Sequence, residues 1–256
     1  MAAGSTGPAP GKERYVYDVF QNVATGYDKA NVRISAGQQG RWKSAAANLL
    51  CEGLAEGTLR AGSFGAGHGE APRVLDIGCG TGDMLLLVHD RCPQAQLTGI
   101  DFSPHMLEQA RRRCEGLEGI SLVEGNALDL PFDDDSFDGV TIAFALRNTA
   151  DYAGALSEAL RVLRPGARFV CIDSFVPANP VVRPFYRLYF GLLMPLLGGG
   201  VRKLRQYRWL SRSTREFVSA RGLEELMGRV GFVRVQQKSF MCGACVCVMG
   251  ACRAED

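Results

Sequence analysis

Arg73-Val74-Leu75-Asp76-Ile77-Gly78-Cys79-Gly80-Thr81-Gly82-Asp83 is the stretch that decides the fold. Val74, Leu75 and Ile77 make a short apolar strand that breaks into a glycine-rich turn, and Met84-Leu85-Leu86-Leu87-Val88 then continues as a helix. Strand, glycine loop and helix in this order open a nucleotide-binding α/β fold, with the backbone brought close to a ligand at the start of the helix. Glycine permits that approach because it has no Cβ and accepts positive φ.

The loop also discriminates between nucleotides. A dinucleotide fingerprint needs Gly-x-Gly-x-x-Gly/Ala under the pyrophosphate. Gly78 and Gly80 fit it, but the third position is Asp83, and Asp76 stands just before the loop. Two carboxylates would repel a diphosphate, whereas they suit a ligand carrying an ammonium and a sulfonium, as S-adenosylmethionine does. About 25 residues beyond Asp76, the strand Leu97-Thr98-Gly99-Ile100 ends in Asp101, where a carboxylate accepts from both ribose hydroxyls. The competing reading is a structural turn in another α/β protein.

The rest of the chain is consistent with one α/β domain carrying additions. Its 256 residues are 46% hydrophobic with a net charge of +2, which indicates a globular protein without overall steering towards nucleic acid. The nine cysteines are spread along the chain and read as small hydrophobes in a reducing compartment. Residues 1–12 lack the basic and apolar regions of a signal peptide and are expected to be a disordered tail on a cytoplasmic protein.

Helical apolar spacing over Tyr15–Tyr27 and Gly40–Leu54 predicts an N-terminal helical lid over 13–56, followed by a linker at 57–71. The core then spans 72–256. Strands are expected at 73–77, 96–101, 120–124, 137–144 and 168–175, with helices to about Asp90, from Pro104 to about Arg113, and from Asp151 to Leu163, the last stopped by Pro165-Gly166. This alternation predicts a parallel sheet with helices on both faces. Ser213-x-x-Glu216 reads as a capping box opening a last helix to about Val230, before final strands near 232–240 and 244–251. Cys245 and Cys247 alternate with Val246 and Val248, so both should point to one face of a strand. No metal ligands are proposed, since no histidine is near them.

Three further motifs lie where strands end. Asn126, in Gly125-Asn126-Ala127, could accept from an adenine amino group or simply close a turn. Arg147-Asn148 puts a charge and an amide at the carboxyl edge of the sheet; a surface ion pair is the alternative. An apolar and aromatic cap is expected at about 176–212. Between Val181 and Arg215 the chain has no acidic residue but carries Arg183, Arg187, Arg202, Lys203, Arg205, Arg208, Arg212 and Arg215. That mixture suits a lipophilic substrate or peripheral contact with an anionic membrane, with nucleic acid disfavoured; an ordinary solvated cap is the other reading.

With these residues in place, the chain resembles the ubiquinone/menaquinone-biosynthesis C-methyltransferases, within the class I S-adenosylmethionine-dependent methyltransferases. The particular segments are Val19-Phe20 through Val23-Ala24 to Tyr27-Asp28, Arg41-Trp42-Lys43, Asp76 to Asp83, Leu130-Pro131-Phe132, Leu146-Arg147-Asn148 and Tyr207-Arg208-Trp209-Leu210. The resemblance implies a Rossmann-like, seven-stranded mixed sheet with flanking helices and a helical lid. It also implies C-methylation of a polyprenylated quinol, with demethylmenaquinol the first choice of acceptor. Another small lipophilic or amine acceptor is the alternative enzyme, and a cofactor-binding assembly subunit the non-enzymatic one.

The candidate cofactor-binding residues are Asp76, Gly78, Gly80, Thr81, Asp101, Phe102, Asn126, Ala127 and Ala143, the last at a family position where serine is common. The catalytic candidates are Arg147, Asn148 and Tyr27. A homodimer and a place at the inner face of the cytoplasmic membrane are compatible with this reading.

Overall fold

The computed structural model describes residues 35, 37–60, 71–189 and 212–254. The expected tail, the helix over Tyr15–Tyr27 with its catalytic candidate Tyr27, and most of the cap lie outside the described residues.

Seven strands form one mixed sheet. They are β1 (Arg73–Ile77), β2 (Gln96–Asp101), β3 (Ile120–Glu124), β4 (Phe137–Ala143), β5 (Leu163–Ser174), β6 (Val233–Phe240) and β7 (Cys245–Ala251), in the order β3-β2-β1-β4-β5-β7-β6. The first five pair in parallel, while β7 runs antiparallel to β5 and to β6. The strand order reverses between β1 and β4, so the connections leaving their carboxyl ends part company there and open a crevice.

Helices cover both faces. On one side lie α1 (Gln38–Arg60), α2 (Asp83–Arg91) and α3 (Pro104–Arg113); Ala46, Ala47, Leu50 and Leu54 of α1 pack with Met84, Leu85 and Val88 of α2 against Val74, Leu97, Val170 and Ile172. On the other lie α4 (Tyr152–Arg161) and α6 (Ala220–Val230), whose Leu156, Ala159, Leu223 and Met227 meet Leu75, Val140, Ile142 and Phe169. Strands covered on both faces carry apolar runs, as in Phe169-Val170-Cys171-Ile172 of β5, which is why the central strand positions are legible in the sequence. A short helix α5 (Val182–Leu188) begins the cap.

Local signals set most helix ends. Pro104 sits in the first turn of α3, where its missing N–H costs nothing, and Ser103 accepts from the Met106 N–H at 3.4 Å. Asp151 caps α4 by accepting from the Ala153 N–H at 3.0 Å. Cys245 and Cys247 share the α1 face, with Val246 and Val248 on the opposite one.

The structure departs from the expected pattern in three places. Helix α1 continues to Arg60, past the expected start of the linker, and from Ala46 onwards it is a layer of the core; only its first turns reach the crevice. Pro165-Gly166 does not stop α4, which already ends at Arg161. Those residues instead lie in an irregularity of β5, where the register jumps from Phe137 opposite Leu163 to Gly139 opposite Arg168, with Gly166 at φ 78°. Ser213 does not open the last helix either. It is buried in a separate helical stretch over 212–216, and α6 is capped by Ser219, which accepts from the Gly222 N–H at 3.0 Å. The Ser-x-x-Glu spacing carries no information about the break at 217–219 that follows.

Replacing Ser219 by alanine is expected to cost about 1 kcal/mol in urea-induced unfolding, and Ser219→Asp is expected to restore most of it.

Candidate functional site

A pocket of about 360 Å³ occupies the crevice between the carboxyl ends of β1 and β4. Its floor depends on a close approach. Gly78 has φ 69°, and a Cβ there would lie 2.4 Å from the Ala145 Cβ. On the β4 side, Phe144 is itself left-handed at φ 59°, an unfavourable conformation for a bulky residue that is held by the structure around it. That turn feeds directly into a 3-10 turn over Leu146–Asn148. Gly78, Gly80, Thr81, Asp101, Phe102, Asn126, Ala127, Ala143 and Asn148 all line the pocket.

One end is built from the strand ends of β2 and β3. The Asp101 carboxylate accepts from the Gly80 N–H and from the Ser103 N–H, both at 2.9 Å. Burial pushes its carboxyl above the usual range, and those two donors only partly offset that. A carboxylate has about four lone-pair sites, so acceptor capacity remains towards the pocket. Asn126 is exposed and its Oδ1 accepts from the Leu128 N–H at 3.0 Å. The turn-closing role is therefore real, although the residue also faces the cavity.

The other end gathers charge around the glycine loop. Asp83, at the start of α2, takes Lys43 Nζ on Oδ2 and Arg113 Nη1 on Oδ1, both at 2.7 Å. Arg113 Nη1 also donates to the Thr81 carbonyl and hydroxyl oxygens at 3.0 and 2.9 Å, which ties the loop to α3. Burial works against ionisation of Asp83, but Lys43 and Arg113 outweigh it and hold the carboxyl below its usual range.

Asp83 is thus already neutralised, and of the two acids flanking the loop only Asp76 is not. Asp76 does not line the pocket directly. It is buried beneath the loop on the α1 face, beside Thr141 across the β1–β4 pairing. Both its carboxylate oxygens and the Thr141 hydroxyl have no hydrogen-bond partner among the described residues. Burial, opposed by Lys43 and reinforced by Asp101 and Asp83, pushes the Asp76 carboxyl up to about 8. Buried acceptors left open beneath a glycine cradle fit a ligand that brings its own cationic donor.

The two described catalytic candidates part company. Asn148 lines the pocket, and its Nδ2 donates to the Phe144 carbonyl at 3.3 Å. Arg147 is only 3% exposed and does not line it. Its guanidinium is paired with the buried Asp173 of β5, and its backbone N–H donates to the other Asp173 oxygen at 3.3 Å. The ion-pair alternative therefore describes Arg147, except that the pair is internal. Lys43, Gln39, Met106, Leu128 and Phe144 also line the pocket but were not among the candidates. Lys43 lay in a family-like segment, yet nothing in its local pattern points to a loop 40 residues away.

Comparison with known proteins is consistent with this geometry. The model described as "ubiE/COQ5 methyltransferase family" matches residues 9–252. The demethylmenaquinone methyltransferases of Staphylococcus aureus strains JH9 and Newman are each 37% identical over 237 residues, covering 92% of both chains. Among solved structures, a SAM-dependent methyltransferase from Thermotoga maritima superposes with a TM-score of 0.59 at 18% identity, covering 92% of this chain and 99% of that one. The [4+2]-cyclase SpnF superposes at 0.64 with 18% identity, covering 97% and 98%. Likeness at that level establishes the fold alone, since one of the two is described as a cyclase.

The Asp76 carboxyl is neutral when folded up to about pH 8 but ionises near pH 4 when unfolded. Folded protein therefore binds the extra proton, and ligand-free stability falls as pH rises through that window. Asp76→Asn is expected to raise the melting temperature by several degrees more at pH 8.5 than at pH 5. A calorimetric pH series in which variant and parent run parallel would assign the effect to another group.

Proposed function

The chain belongs to the ubiE/COQ5 methyltransferase family, and from that premise we propose that it methylates a ring carbon of demethylmenaquinol. Its cofactor is S-adenosylmethionine. The observation that carries the choice of acceptor is the 37% identity to demethylmenaquinone methyltransferases across 92% of both chains.

The pocket residues divide the work. Asp101 would accept from the ribose hydroxyls, Phe102, Asn126 and Ala127 would border the adenine, and the Gly78 and Gly80 backbone with Ala143 would lie under the centre of the ligand. Thr81, bound to Arg113, would hold the loop in shape, and Asp76 would receive the ammonium from beneath. When bound, the cofactor supplies an electrophilic methyl group on sulfonium sulfur.

The chain's own contribution to the chemistry is alignment and exclusion of water. Asn148 would orient the ring hydroxyl, or a water that takes its proton, so that electron density is pushed to the attacking carbon. Arg147 would act as a positioning residue: locked to Asp173 by side chain and backbone, it fixes the turn that carries Asn148. Tyr27, outside the described residues, is kept in the proposal on the family resemblance.

A polyprenylated acceptor resides in a membrane, and the proposal extends to peripheral contact through 181–215 at the inner face of the cytoplasmic membrane. Val181, Phe185 and Leu188 are 71%, 70% and 56% exposed. Their spacing sets them along one side of α5, with exposed Arg183 nearby. Among the described residues no helix is long and apolar enough to cross a membrane.

Incubation with methyl-labelled S-adenosylmethionine and a reduced demethylmenaquinone analogue in detergent should place label on the naphthoquinol ring, read by mass spectrometry. Asn148→Ala is expected to lower kcat roughly tenfold to a hundredfold with cofactor affinity unchanged. Cofactor binding with no transfer to any quinol would sink the assignment of acceptor. Phe185→Glu is expected to reduce co-sedimentation with anionic vesicles while leaving cofactor affinity intact; unchanged sedimentation would count against the membrane contact.

A further inference from the structure

Lys43 is the one cation among the described residues that line the pocket, and the proposed chemistry leaves it without a function. It reaches the pocket wall from α1, one turn after Gln39, which lines the same wall. Its ammonium contacts Asp83 at 2.7 Å, and its side chain keeps 12% of its surface accessible. An ammonium has about three donors, and Asp83 takes one of them.

Asp83 is shared between Lys43 and Arg113, so Lys43 does not have that carboxylate to itself. Asp101 and Asn126 lie on other strand ends, where the adenosine would sit. Lys43, on the wall beside the glycine loop, therefore stands at the end of the pocket that takes the remaining part of the ligand. Asp76, open and buried beneath the loop, offers an acceptor at the same end.

We infer that Lys43 binds the α-carboxylate of the cofactor and so selects adenosyl ligands that carry an amino-acid tail. Asp76 then receives the ammonium and Lys43 the carboxylate, so a zwitterionic tail meets a site of matching polarity. The assignment also gives α1 a direct part in the site: its first turns close one wall of the cavity while the rest of the helix is core. This inference rests on the reading of the pocket as an S-adenosylmethionine site.

The test compares two ligands by titration calorimetry: S-adenosylhomocysteine and its decarboxylated amine, which keeps the ammonium and lacks the carboxylate. The parent protein is expected to prefer S-adenosylhomocysteine by about tenfold or more. Lys43→Met, which keeps the length and removes the charge, should weaken S-adenosylhomocysteine about tenfold and leave the amine unchanged, so the preference collapses. Lys43→Arg should keep it. A parent protein without the preference overturns the inference with no variant needed. So does Lys43→Met if it weakens both ligands equally, as loss of a merely structural ion pair would, or if it keeps the preference. A parent protein that binds neither ligand overturns the reading of the pocket itself.

Discussion

The site rests on one steric constraint, the contact between Gly78 and Ala145. The connections leaving β1 and β4 diverge to opposite faces, yet at their roots they come so close that no Cβ fits at position 78. Everything around the pocket follows from tolerating that approach. Positive φ at Gly78 turns the loop over the sheet edge, and positive φ at Phe144 turns the other connection so that Asn148 faces inward. Strain of this kind costs of the order of 1–3 kcal/mol at a non-glycine residue. It is held in place by the packed sheet beneath and by the Arg147–Asp173 pair beside it.

Above that floor, the acids near the loop have different fates because their surroundings differ. Asp101 is bound by two backbone N–H groups, which fix its direction without using up its acceptor capacity. Asp83 is matched by two cations and has become part of the frame. Asp76, with neither donors nor a direct ion pair among the described residues, is the group whose protonation stays open to a ligand. A single carboxylate chemistry thus yields an orienting group, a structural counter-ion and an unsatisfied acceptor.

Much of this was legible along the chain. The central strands stand where short apolar runs stand, as in Phe169-Val170-Cys171-Ile172 of β5, because a sheet covered on both faces demands apolar residues on both. Pro104 and Asp151 marked helix starts correctly because capping is a local hydrogen bond. The misreadings are equally instructive. Ser213 has the spacing of a cap but is buried in another short helical stretch, and Pro165-Gly166 bends a strand rather than ending a helix. In both cases a local pattern was satisfied by packing that the local pattern does not describe.

What the sequence by itself determined is the α/β class, the glycine loop and the carboxylate at the end of β2, since each depends on residues adjacent or at fixed spacing. Only the tertiary structure decided which charges are already matched. Lys43 meets Asp83 across 40 residues, and Arg147 meets Asp173 across 26. Ion pairing depends on distance in space and on burial, and neither is encoded in any short run of the chain. For that reason Arg147, read as a group facing the ligand, is held inside the fold, while Lys43, marked in the sequence only by the family resemblance of its segment, stands at the pocket wall.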